Sequence, residues 1–154
     1  MDFISPEPIN EAAQTITSGD FWPPIDTADF RATMRSDGTV TPGRLLAALK
    51  NAVIETHREL AGWQSQQISL GYHTLGSVPA SQIDDESELL YLYRRAVYCM
   101  AKAGLSERYR DIDTTADGAK KADALDPTID DLHRDAVWAI QRIKCTTHNI
   151  VELI

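Results

Sequence analysis

Thr41-Pro42 followed by Leu45, Leu46, Leu49, Val53, Leu60 and Trp63 is the feature that most limits what this chain can become. A threonine hydroxyl can cap a helix, and a proline in the first turn gives up an N–H that would have no partner there. The apolar residues then recur every three or four positions, which is the helical period. One long amphipathic helix is therefore expected from Pro42 to about Gln67, with Arg44, Lys50, Glu55 and Glu59 on its other faces.

Two further segments carry the same period. Leu89, Leu90, Tyr93, Ala96, Val97, Met100 and Ala101 predict a helix running to Tyr109, and Leu132, Ala136, Val137, Ile140 and Ile143 share one face of a last helix after Pro127. Asp84, Asp85, Glu86 and Glu88 suit the positive end of the second helix, with Ser87 as a candidate cap. Gly104 inside it costs about 1 kcal/mol relative to alanine and predicts a closely packed neighbour or a local bend. A short helix is expected from an Asp26 cap to Met34, before Asp37-Gly38 turns the chain, and another turn or two at Lys120 to Leu125. Ser69 to Gln82, with Gly71, Gly76 and Pro79, reads as a loop. The expected fold is all-α: an irregular bundle of three principal helices plus one or two short helices, long connecting loops and an extended C-terminal tail.

With 154 residues, the chain has the size of one domain that folds without a metal or disulfide. A net charge of −8 argues against affinity gained by neutralising phosphates, so direct DNA binding is not expected. Cys99 and Cys145 lack CxxC partners, which predicts a reducing compartment. No cleaved leader or membrane span is read in the sequence. The charge is segregated. Met1 to Asp29 holds six acidic and no basic side chains, and Asp111 to Asp135 holds eight acidic ones against Lys120, Lys121 and Arg134. Between them lie Arg94, Arg95, Lys102, Arg108 and Arg110, offset by Glu107. Head-to-tail self-association would use such segregation; solvated helix faces would also produce it. Arg94, Arg95, Arg108 and Arg110 on one side, and Asp84, Asp85 and Glu86 on the other, are the candidate inter-subunit contacts.

No catalytic, cofactor or metal constellation is expected. His57, His73, His133 and His148 form no HExxH or Glu-x-x-His pair and read as surface or loop histidines. Asp111, Asp113, Asp117 and Gly118 fail the calcium-loop spacing, since the later ligand slots hold Thr115 and Ala122. Cys99, between Tyr98 and Met100, reads as a small core residue. Phe21-Trp22-Pro23-Pro24 is expected to pack over the domain's own core, with docking on a partner as the other reading. Beyond Cys145 the chain turns β-prone and apolar. Ile150, Val151, Leu153 and Ile154 need cover from this chain or from another.

Several segments together carry a resemblance. Phe21-Trp22-Pro23, Met34-Arg35 with Asp37-Gly38-Thr39-Val40-Thr41, Leu92-Tyr93-Arg94-Arg95-Ala96-Val97-Tyr98, Glu107-Arg108-Tyr109-Arg110-Asp111 with Asp113-Thr114-Thr115, Lys120-Lys121-Ala122, and Val151-Glu152-Leu153-Ile154 occur in this order. In them the chain resembles the head completion (head stabilisation) proteins of P2-like tailed bacteriophages, from Phe21 onward, with the acidic leader outside the likeness. The resemblance implies a non-enzymatic, cofactor-free adaptor of the head-to-tail connector. It would join the portal protein after packaging, stabilise the filled head and offer the surface on which the tail is mounted. It further implies a ring of identical subunits, a dodecamer if it matches the portal, a tail-side connector or tail terminator as partner, and packaged DNA passing without specific binding. The location implied is the neck of the virion, reached from the host cytoplasm. The expected organisation is an acidic extended arm at 1–20, a helical adaptor domain at 21–146 and a docking tail at 147–154. A tail terminator or other neck subunit, and an acidic helical regulatory protein, are the alternatives.

Overall fold

The structure is a computed structural model that describes residues 12–36, 40–112 and 129–145. It is mostly helical, with two small antiparallel strand pairs that the all-α expectation lacked. In chain order, β1 (Thr15–Ile16) pairs with β2 (Ile25–Asp26), which leads directly into α1 (Thr27–Met34). Then come α2 (Pro42–Ser69), a 3₁₀ turn (Leu75–Ser77), the β3 (Gln82–Ile83) and β4 (Glu86–Ser87) hairpin, and α3 (Glu88–Ile112). A last helix, α4, covers 129–145. The expected turn at Asp37-Gly38, the short helix at Lys120 to Leu125, Pro127 and the tail lie outside the described residues.

The helix starts are chemical. Asp26 accepts from the Ala28 and Asp29 backbone N–H groups, at 2.8 and 3.4 Å, and so caps α1. Thr41 Oγ1 accepts from the Arg44 N–H at 3.4 Å, and Pro42 opens α2, which runs two residues past the expected Gln67. At α3 the sequence reading needs correction. Asp84 and Asp85 do not sit in the first helical turn; both have positive φ, 53° and 59°, and form the two-residue turn of the β3–β4 hairpin. Both central residues of such a turn must be left-handed, a conformation aspartate tolerates better than most side chains. Glu86 belongs to β4, and the cap is Ser87, whose Oγ accepts from the Leu89 N–H at 3.2 Å. The expected loop from Ser69 to Gln82 is ordered by a capping box, with Thr74 and Ser77 bonding each other's backbone N–H groups.

Residues 12–18 run without helix, with β1 at Thr15–Ile16, and turn at Gly19-Asp20, where Gly19 has a φ of 71°. Thr27 donates its N–H to the Gln14 carbonyl at 2.9 Å, and Ile16 is buried against the core with Phe21, Trp22 and Ile25. That core is built on α2 and α3, through Leu45, Leu49, Val53, Leu60 and Trp63 on one and Leu89, Tyr93, Ala96, Val97 and Ala101 on the other. From α4, Ala139, Ile140 and Ile143 join it. Val137 does not: it is exposed, one step off the buried face of Ala136, Ala139, Ile140 and Ile143.

Gly104 also departs from expectation. No described side chain approaches where its Cβ would stand, and α3 runs from Glu88 to Ile112 through it. Gly104→Ala should therefore raise stability by about 1 kcal/mol, or roughly 2–4 °C in melting temperature, measured by circular dichroism.

Candidate assembly surface

Because two core segments are aromatic, the inside of the molecule can be separated from what it offers outside. Trp22 lies against His57 and Tyr93, with ring centroids 4.7 and 4.9 Å away and planes within 19° and 16° of parallel. His57 and Tyr93 are themselves 5.8 Å apart and joined by a 2.8 Å hydrogen bond between Nε2 and Oη. With those three separations, both rings lie side by side on one face of the indole. Phe21 meets Trp22 edge-on at 4.8 Å. The Phe21-Trp22 pair thus packs inward, as expected from sequence. His57 is half-buried, held by the Trp22 and Tyr93 rings rather than free at the surface, a contact that its spacing in the sequence does not announce.

Burial holds the Tyr93 phenol well above its ordinary pKa and lowers His57 below its usual 6.5. An unfolded chain therefore takes up the His57 proton first as pH falls. This contribution to stability is fully present above about pH 6.5 and is lost as pH falls from there through the lower native value. Urea midpoints measured from pH 7.5 to 5.0 should show that loss, with a shallower slope in His57→Gln.

Among the described residues, no three His, Cys, Asp or Glu side chains are grouped to hold a metal, and no helix is long and apolar enough to cross a membrane. Cys99 is buried, and burial raises its thiol pKa, which keeps it a protonated core residue. Tyr98, also raised by burial, donates a 2.5 Å hydrogen bond to Asp29 and ties α1 to α3.

The candidate contact residues fall into two groups. Arg94 reaches Glu86 and locks the hairpin to α3, while Arg95 pairs with Asp135 at 3.1 Å and joins α3 to α4. Asp84 and Asp85 lie together at the exposed hairpin tip. Arg108 is exposed near the far end of α3, and Arg110 belongs to the same helix. Ile150, Val151, Leu153 and Ile154 lie outside the described residues. The structure adds an apolar groove that no sequence pattern announced. It holds about 280 Å³ between the hairpin, the first turns of α3 and one side of α4; Ile83, Tyr91, Leu92, Trp138 and Ala139 line it, with the charged Glu88, Arg95, Asp135 and Arg142 also on its walls. Ile83, Tyr91 and Trp138 are large side chains left 61%, 53% and 59% exposed. The Arg134 guanidinium stands over the Trp138 ring at 4.9 Å.

The fold defines a class of mostly helical domain with an aromatic interior and an open face that carries large apolar side chains. Comparison with known proteins makes that class specific: residues 16–154 match the family model described as phage head completion protein (GPL). The chain belongs to that family. It is 43% identical over 151 residues to the head completion/stabilization protein of Escherichia phage P2, covering 98% of this chain and 89% of that protein. The likeness therefore begins upstream of Phe21 and takes in part of the acidic leader. No solved structure matches the chain.

Proposed function

We propose that this protein is a non-enzymatic adaptor of the phage neck, which joins the portal after DNA packaging, stabilises the filled head and presents the surface for tail attachment. The observation that carries this reading is the 43% identity, over nearly the whole chain, to a head completion/stabilization protein. Its working form is a ring of identical subunits, twelve where it meets the portal, in the virion neck after assembly in the host cytoplasm. A tail-side connector or terminator is its other partner. Contacts around the ring are heterologous, because the exposed acids at the hairpin tip and the exposed Arg108 lie at opposite ends of the 25-residue α3. In the division of labour proposed, residues 21–146 are the adaptor domain, 1–20 the acidic arm and 147–154 the docking tail. Acidic residues of the arm or of Asp111 to Asp135 face the DNA channel, where negative charge lets DNA slide past.

In the assembled neck, Ile150, Val151, Leu153 and Ile154 dock on the portal or on the neighbouring subunit. Deleting Thr147 to Ile154 should leave a folded helical protein by circular dichroism that fails to join portal-bearing heads in a sedimentation assay. Normal joining by the shortened protein would refute this docking role.

A further inference from the structure

We propose that the outer face of α2 receives the β3–β4 hairpin and the first turns of α3 of a second copy of this chain, in a head-to-tail contact. It rests on the ring proposed for the working form and names the two faces that meet. Ala47, Ile54, Ala61 and Ile68 recur every seven residues of α2 and so share one side of the helix. Ile54 stands two positions from both Ala52 and Thr56, which are buried, and therefore lies across the helix axis from the core. It is 56% exposed and Ile68 is 41% exposed. Lys50 and Arg58 come four residues before and after Ile54, one turn to either side. Arg58 is held only loosely by Glu55, at 3.9 Å with both side chains exposed.

The second face has the opposite charge around the same kind of centre. Ile83 and Tyr91 line one groove and are neighbours. Asp84 and Asp85 follow Ile83 at the exposed hairpin tip, and Glu88 stands one turn before Tyr91. Lys50, Asp84, Asp85 and Glu88 make no ion pair among the described residues. Bases on either side of an isoleucine thus match acids on either side of an apolar pair, a complementarity that selects the partner and sets its register. The two faces also point away from each other. Tyr91 is two positions from the buried Leu89 and Tyr93, on the side of α3 turned from the core, while α2 packs its own buried face against α3. One subunit cannot close this contact on itself, and a two-fold pair cannot satisfy both faces at once. Each hairpin meets the next α2, and the series closes into a ring where the rotation allows.

Sedimentation velocity over a rising concentration series tests this without the portal. The parent should self-associate, more weakly as salt is raised. Lys50→Glu with Arg58→Glu, and separately Asp84→Lys with Asp85→Lys, should each weaken association at least about tenfold. An equimolar mixture of these two proteins should recover it, because each supplies the charge that the other's reversed face now needs. Asp84→Asn with Asp85→Asn removes the charge but keeps side chains suited to the left-handed turn, so it should also weaken association with the hairpin intact. A parent that stays monomeric to its solubility limit overturns the proposal. So does parent-like association by the Lys50→Glu, Arg58→Glu protein or by the asparagine variant, or a mixture that fails to recover while both proteins remain folded by circular dichroism. Portal-bound rings built by the Lys50→Glu, Arg58→Glu protein would sink this interface and leave the adaptor reading standing. Charge-dependent self-association by a protein that ignores the portal would do the reverse.

Discussion

Trp22→Ala should lower stability by about 3–5 kcal/mol, a large part of the 5–15 kcal/mol that holds a domain of this size together. The indole covers both members of the His57–Tyr93 pair and meets Phe21 edge-on, so its removal opens a cavity at the junction of the N-terminal segment, α2 and α3. It also admits water to a hydrogen bond that burial protects. Melting followed by circular dichroism should show a fall of roughly 10 °C. Ile54→Ala, on the exposed side of α2, should stay within about 0.5 kcal/mol of the parent. Similar small losses at both positions would mean that Trp22 does not close the core.

The second large effect is expected at Phe30. This ring has no exposed surface and meets Tyr98 edge-on at 5.4 Å, beside the Tyr98–Asp29 hydrogen bond. Phe30→Ala should cost about 3–5 kcal/mol. The loss should concentrate on α1, which has only eight residues and depends on α3 for support. Hydrogen exchange should therefore show α1 and the β1–β2 pair losing protection before α2 and α3. Uniform loss across all helices would indicate that α1 is no separate unit.

The elements legible in the sequence were those whose signal is local and repeated. Asp26 and Thr41-Pro42 mark helix starts whatever surrounds them, and the apolar periods of α2 and α3 are long enough to identify the faces that pack together. The β3–β4 hairpin was not legible, because two-residue strands carry no period and Asp84-Asp85 reads equally as helix-dipole chemistry. Spacing alone puts Val137 on the inward face, whereas the turn of α4 brings Ala139 to the core instead. The Trp22–His57–Tyr93 cluster depends on contacts 35 and 71 residues apart in the chain, for which a single sequence offers no sign beyond the aromatic Phe21-Trp22 pair. The groove is likewise a product of assembly, since Ile83, Tyr91 and Trp138 come from three different elements. The chemistry of Arg94 and Arg95 was legible as a basic patch, but their intramolecular partners Glu86 and Asp135 were not.

We propose that this subunit completes the head by binding the portal as a ring. Electron microscopy of the protein mixed with purified portal tests it most directly. Rings of this protein should stack coaxially on the portal, with the portal's rotational symmetry. Portal particles without added density, in the presence of excess folded protein, would contradict it.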